Sequence, residues 1–344
     1  MRKERITIVF LIDFLATREG LTGGTERQLL ELIQHLDRER FRPVLCCLQE
    51  FAHAPCLDGI DCEKHVLHVY SLASWKGCLA FLSFVRFLRG NSVDIVQCHF
   101  HDSILFGITA ARAAGVSRTI SCRRDMGFWY DGKALGRLAM VNRLTHRILV
   151  NSMAVKESVS RHEGVRPDRI DVILNGIDME AFDSRAPAAL HREFAGIRPG
   201  DRVVGMVANI NRDVKRGDMF VHAAALVARR HPGVKFLIIG SGRLEDGLRT
   251  LVRDLGLEGV FILGGRKPST AEYVKGFDVG VLTSDSEGFS NVIMEYMAAG
   301  IPVVATDVGG NRELVRDGSL GVLVPPGDHR ALADAVSRLL ESDE

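Results

Sequence analysis

The chain has 344 residues, enough for two domains. Its formal net charge of +1 at pH 7, with 25% charged and 46% hydrophobic residues, is that of an ordinary globular protein and gives no ground for a nucleic-acid partner. The seven cysteines (Cys46, Cys47, Cys56, Cys62, Cys78, Cys98 and Cys122) are odd in number and contain no C-x-x-C pair, which argues against a disulfide framework or zinc site and for a reducing, cytoplasmic setting.

In chain order, "ITIVFLI" at 6–12 reads as a buried first strand. It is too short for a leader and lacks a cleavage site. Nowhere does an apolar run reach the ~20 residues that span a bilayer. Gly23-Gly24-Thr25 then opens a helical pattern over 26–36. Glycines let backbone N–H groups approach an anion at a helix start; the plainer alternative is a turn with Thr25 as N-cap. A strand at 44–48 follows. "SLASWKGCLAFLSFVRFLRG", with Trp75, Lys76, Arg86 and Arg89, is either a helix packed on the sheet or an interfacial helix touching a membrane.

The strand at 93–98 leads directly into His99 and His101. Its position after a strand favours a functional role for His99, while no carboxylate–histidine set has metal-ligand spacing. Beyond a helix at 104–114, the strand at 119–122 runs into "RRDMGFWYDGK". There Arg123 and Arg124, beside Phe128, Trp129 and Tyr130, could hold an acceptor or a lipid headgroup, or form an ordinary packed loop. Strands at 148–150 and 170–173 flank a helix at 154–162. These continuous apolar runs suit a parallel sheet covered on both faces.

"LNGIDMEAFDSRAPAAL" reads as a linker, with a boundary near 178–187. The rhythm then restarts, with strands at 203–207, 236–239, 260–263, 279–283, 303–305 and 321–324 and helices such as 220–230 and 244–255. The expected fold is α/β: two doubly wound Rossmann-like domains, 1–180 and 181–344, facing across a cleft. Ligands in such sheets lie outside the carboxyl ends of the strands. "VANINRDVKRGDMF" places Arg212 and Lys215 there, suited to a diphosphate, with Arg216 expected to be solvated. "SDSEGFSNVIMEYMAAG" places Glu287 ahead of an apolar helix and Glu295 within it. The N–H groups of Gly288, Phe289, Ser290 and Asn291 can bind a phosphate or sugar oxygen. A carboxylate such as Glu295 needs donors, from ribose hydroxyls or from a structural arginine. Glu287 could equally be a favourable charge near the helix start.

These segments, together with "GGTERQLLELIQHL", "DIVQCHFHDS", "ILVNSMAVKESV", "VILNGIDMEAF" and "IIGSGRLEDGLRTLVRDLGL", resemble glycosyltransferase family 4 over nearly the whole chain. These are retaining GT-B enzymes with an E-x7-E motif. The resemblance implies that Glu287 contacts the donor sugar and Glu295 the ribose. It implies that Arg212 and Lys215 clamp the diphosphate, Gly23 and Gly24 approach the distal phosphate, and His99 lies near the sugar. Arg266 and its neighbours would face the base. It further implies a UDP- or GDP-linked donor and no metal or other cofactor. The acceptor would be a saccharide or lipid-linked molecule in polysaccharide, lipopolysaccharide or glycolipid synthesis, with work at the inner face of the membrane. Arg123 and Arg124 would lie on the acceptor side.

Two features depart from the family pattern. Gln97 stands where a first histidine of an H-x-H pair is often found. The chain stops at "LADAVSRLLESDE", where members usually continue with crossover helices. That ending motivates the alternative of a non-catalytic nucleotide-sugar-binding protein of the same fold. A D-x-D metal site at Asp285–Glu287 would fit a different architecture. An epimerase fits the order of motifs less well, and a dehydrogenase would need a G-x-G-x-x-G after a first strand.

Overall fold

The computed structural model describes residues 5–15, 23–49, 57, 59–316 and 318–342, so Cys56 lies outside the described residues. The chain divides into two compact units, Met1–Asn175 and Gly176–Glu344.

The first unit runs β1 (Ile6–Ile12), α1 (Gly24–Gln34), β2 (Phe41–Cys47), β3 (Glu63–Val66), α2 (Trp75–Gly90), β4 (Ile95–His99), α3 (His101–Ala114), β5 (Arg118–Arg123), α4 (Gly132–Asn142), β6 (Arg147–Val150), α5 (Met153–Glu163) and β7 (Ile170–Val172). The seven strands among its described residues are all parallel, in the order β3-β2-β1-β4-β5-β6-β7. The continuous apolar run of β1 serves both faces. Val9 and Leu11 pack with Phe84, Leu88 and Ile104, while Ile8, Phe10 and Ile12 pack with Leu29, Leu30 and Ile33. Sequence reading misses β3, because its Glu63-Lys64-His65-Val66 carries no apolar run. It is an edge strand, where charge is tolerated and blunts further pairing.

The second unit runs α6 (Met179–Asp183), α7 (Leu190–Glu193), β8 (Val203–Val207), α8 (Gly217–Arg230), β9 (Lys235–Ile239), α9 (Glu245–Asp254), β10 (Phe261–Leu263), α10 (Ala271–Val274), β11 (Val279–Leu282), α11 (Asn291–Ala298), β12 (Val303–Thr306), α12 (Asn311–Leu314), β13 (Gly321–Val324) and α13 (His329–Glu341). Six parallel strands lie in the order β10-β9-β8-β11-β12-β13. Val204 and Met206 of β8 face α8 and α13, while Val203 and Val207 face Phe277 and Tyr296. The stretch read as a linker is partly helical: Asp178 accepts from Ala181 N–H and caps α6.

In each sheet the order reverses beside the strand that comes first in the chain, between β1 and β4 and between β8 and β11. Loops leaving the carboxyl ends of those strand pairs diverge to opposite faces, which opens a crevice there.

Candidate functional site

In the second unit, the loops after β8 and β11 are stitched together. The Thr283 hydroxyl is 2.9 Å from the carbonyls of both Lys215 and Arg216, and Asp285 N–H donates to Val214 O at 2.8 Å. This brings together two side chains singled out in the sequence. Lys215 Nζ lies 2.5 Å from Glu287 Oε1, and that oxygen also accepts from Ser284 Oγ at 2.6 Å. Both partners are shielded, with side chains 23% and 11% exposed. Ser284 is itself held by Thr306, whose hydroxyl donates to the Ser284 carbonyl at 2.5 Å. Gly309 explains how close the neighbouring loop comes: it has φ +48°, and a Cβ there would fall 1.8 Å from the Glu287 carbonyl oxygen.

Ser290 caps α11 by accepting from Ile293 N–H at 3.3 Å. The N–H groups of Gly288, Phe289 and Ser290 make no hydrogen bond among the described residues. Glu295 is buried one turn into α11, and Thr270 Oγ1 donates to its Oε2 at 3.0 Å. Thr270 lies in the loop after β10, the loop that also carries the exposed Arg266. Arg212 is exposed at the start of the 3-10 turn Asp213–Lys215, and its side chain makes no hydrogen bond among the described residues. Arg216 is not the solvated charge expected. It has φ +47° and pairs with Asp218 at 2.9 Å and Asp285 at 3.3 Å. The carboxylate of the D-x-D-like reading is thus engaged by an arginine.

In the first unit, register places Ile12 beside His99. His99 is fully buried, and its Nε2 lies 3.2 Å from Gln97 Nε2. With the amide nitrogen on that side, Nε2 accepts and the ring proton sits on Nδ1, which has no partner. Gln97 thus has a definite task at the position where the motif departs. Burial, reinforced by the nearby Arg124 charge, holds the His99 pKa well below its ordinary value, so the ring is neutral. The next residue, Phe100, has φ +67° and stacks on Phe14 with ring centroids 5.5 Å apart. A bulky residue in that region is strained and is held by its surroundings.

Asp13 follows β1 just as His99 completes β4, and sequence reading missed it. The rule that singled out His99 applies to it equally. It accepts from Ser103 N–H at 2.6 Å and from the Ser103 hydroxyl, capping α3 from a different strand. Burial pushes its pKa up to about 6, against the lowering effect of those bonds.

The two arginines after β5 part company. Arg123 is buried and turned inward: Nε and Nη2 donate to Glu163 at 2.9 and 2.8 Å, and Nη2 reaches Asn142 at 3.2 Å. Burial disfavours its charge, but the Glu163 carboxylate outweighs this and raises its pKa. It is a core ion pair, which removes it from the acceptor-side candidates. Arg124 has no such partner; its Nη1 donates to Asn175 Oδ1 at 2.6 Å. At α1 the N-cap is Gly23, not Thr25, and a Cβ on Gly23 would lie 2.6 Å from Glu26 Oε2. An acidic side chain therefore already sits against this turn. His101 Nδ1 pairs with Asp102 at 2.9 Å. Among the described residues no group of three or more His, Cys, Asp or Glu could hold a metal.

The sequence matches the Glycosyltransferase Family 4 family over residues 22–181 and the family Glycosyl transferases group 1 over residues 201–342. A D-inositol 3-phosphate glycosyltransferase of Frankia alni is 35% identical over 299 residues, covering 80% of this chain and 72% of that protein. The UDP-Gal:alpha-D-GlcNAc-diphosphoundecaprenol alpha-1,3-galactosyltransferase of Escherichia coli is 26% identical over 338 residues, covering 93% and 86%. Several other curated relatives are matched over about half of their own length. Among solved structures, Anabaena Alr3699/HepE in complex with UDP-glucose superposes with a TM-score of 0.82 at 22% identity, covering 98% of this chain and 90% of that one. With both halves matched and one relative 35% identical over most of either protein, the chain belongs to glycosyltransferase family 4, and its parallel α/β units are those of the GT-B fold.

Proposed function

We propose that the protein moves a sugar from a nucleotide-diphosphate donor, UDP- or GDP-linked, to an acceptor hydroxyl with retention at the anomeric carbon. The observation that carries this is the joined loop pair of the second unit: a lysine–glutamate contact, an uncommitted arginine and unbonded N–H groups ahead of a helix, all at the carboxyl ends of β8 and β11. A diphosphate needs fixed positive charge and oriented N–H groups where its leaving-group charge develops. Arg212, Lys215 and the amides of Gly288, Phe289 and Ser290 supply them. Glu295, with Thr270 already on one oxygen, accepts from the ribose. The loop of Arg266 faces the base. Glu287 exchanges Lys215 for hydroxyls of the sugar as Lys215 turns to phosphate.

In this reading residues 181–344 are the donor domain and 1–180 the acceptor domain. His99, neutral and with Nδ1 unpartnered, orients the sugar, and Gly23 and Gly24 approach the distal phosphate. The bond from the anomeric carbon to the diphosphate oxygen breaks while the acceptor oxygen bonds to the same face. The leaving phosphate takes the acceptor proton. Support for retention comes from the E-x7-E resemblance. The UDP-galactose and diphosphoundecaprenol named for the E. coli relative support a UDP-linked donor and a lipid-linked acceptor, in glycolipid or polysaccharide synthesis. No helix among the described residues is long and apolar enough to cross a membrane. In this reading a lipid-linked acceptor is met peripherally, at the cytoplasmic face.

The test is a donor screen by thermal stability with UDP-, GDP-, ADP- and dTDP-sugars, with and without EDTA. One nucleotide should stabilise the wild type by ~2.7 kcal/mol at about a hundredfold excess over Kd. EDTA should leave this unchanged and Glu295→Ala should abolish it. Stabilisation by no donor would reject the reading, and binding without turnover of any acceptor would convert it to a sugar-nucleotide-binding protein.

A further inference from the structure

Arg123 has a carboxylate of its own, and Arg124 has none. Arg124 gives one N–H to the neutral side chain of Asn175, and its buried Nε has no partner. Burial lowers its pKa, and what acts against this is the neighbouring Cys122 thiol, not a carboxylate. An arginine keeps its proton even so, and the fold therefore holds an uncompensated, largely buried cation. Such a charge costs stability unless a ligand brings the counter-charge.

Arg124 lines a small pocket of the first unit together with Thr25, His99, Asp125, Trp129 and Tyr130; its accessible volume is about 20 Å³. That is room for one small polar group. Asp125, the acid in this lining, is already committed, with its oxygens on the Gly127 N–H at 2.8 Å and the Trp129 indole N–H at 3.0 Å. His99, assigned above to the donor sugar, adds no charge to this lining. A guanidinium N–H matches an oxyanion better than a hydroxyl, because the oxyanion brings a counter-charge as well as an acceptor.

We propose that Arg124 binds an oxyanion, a phosphate or carboxylate, carried by the glycosyl acceptor. This rests on the transferase reading above, in which the donor diphosphate is held by the second unit. The donor's distal phosphate has the same chemistry and is the other source, since Thr25 adjoins the Gly23–Gly24 turn.

The test uses the full chain carrying Trp75→Phe, so that Trp129 in the pocket lining is the only tryptophan left to report. Inorganic phosphate is titrated with and without a saturating amount of the nucleotide that the donor screen selects. The expected result is a saturable change in Trp129 emission that persists with nucleotide bound and weakens by about tenfold or more in Arg124→Gln. Loss of the response when nucleotide is present would assign the oxyanion to the donor and overturn the acceptor assignment. An unchanged response in Arg124→Gln, or no response in the wild type, would overturn the site itself. Arg124→Met supplies the second readout. Its ligand-free Tm should rise, because packing replaces an unpaired charge; a fall would make Arg124 a structural residue and sink the proposal. If no nucleotide binds the wild type, the transferase reading fails while the phosphate titration alone still decides the Arg124 site.

Discussion

At neutral pH the Asp13 carboxylate is ionised in a place that disfavours charge. Its folded pKa of about 6 lies above the ordinary 3.8. The neutral form is therefore the one the fold prefers, and its contribution to stability is complete below about pH 3.8 and lost as pH rises through about 6. The linked free energy is on the order of 2–3 kcal/mol. His99 has the opposite sign, since its lowered pKa costs stability as pH falls below its ordinary 6.5. Comparing the wild type with Asp13→Asn cancels the His99 term. Both tryptophans, Trp75 and Trp129, lie in the first unit, so urea unfolding followed by their fluorescence reports that unit. Relative to the wild type, the variant should gain on the order of 2–3 kcal/mol between pH 3.5 and 7.5; a flat difference would mean Asp13 does not titrate there. Single residues were unevenly legible. Lys215 and Glu287 were singled out because they follow strands, and the structure brings them together, whereas His99, expected just after a strand, is the last residue of β4. The inward turn of Arg123 was not legible, because its partner Glu163 is forty positions away and only the fold brings them together.

At the scale of elements, α11 is locked to the sheet through Tyr296. Pairing between β8 and β11 covers only Val204 with Val279 and Gly205 with Gly280. Beyond it the buried Tyr296 hydroxyl enters the ladder, accepting from Val207 N–H at 3.1 Å and donating to Val281 O at 3.2 Å. Tyr296→Phe would leave both groups unsatisfied at about 1–3 kcal/mol. The check is amide exchange at Val207, where protection should fall roughly ten- to hundredfold; unchanged protection would show the hydroxyl to be dispensable. Helix α2 shows two faces that the sequence left as alternatives. Phe84, Val85 and Leu88 are buried, while Trp75, Leu79 and Leu82 are 69%, 56% and 52% exposed beside Lys76, Arg86 and Arg89. A peripheral membrane contact, if made, would use this stripe. Wild-type protein should sediment with vesicles containing anionic lipid and Leu79→Glu/Leu82→Glu should not; failure of the wild type to sediment would remove the idea. Elements with apolar runs were readable. The charged β3 and the start of β2, where Arg42 and Pro43 interrupt the pattern, were not, because pairing to neighbours rather than local preference makes them strands.

For the molecule as a whole, two parallel sheets were legible because strands covered on both faces carry continuous apolar sequence. Their order was not, since it depends on which strand the chain returns to. That order has a consequence for how the protein is made. In both units the strand that comes first in the chain ends up in the middle, with β2 and β4 on either side of β1 and β9 and β11 on either side of β8. During synthesis the half-sheet β1-β2-β3 is therefore complete while one edge of β1 still waits for β4. That waiting edge is the apolar ITIVFLI, which has high β-propensity and no charge. A nascent chain with β3 outside the ribosome and β4 still within its exit tunnel displays it, and one with β4 also outside has covered it. Chaperone capture by stalled nascent chains should accordingly drop between those two lengths, and charging the run would relieve capture while destroying the sheet's centre.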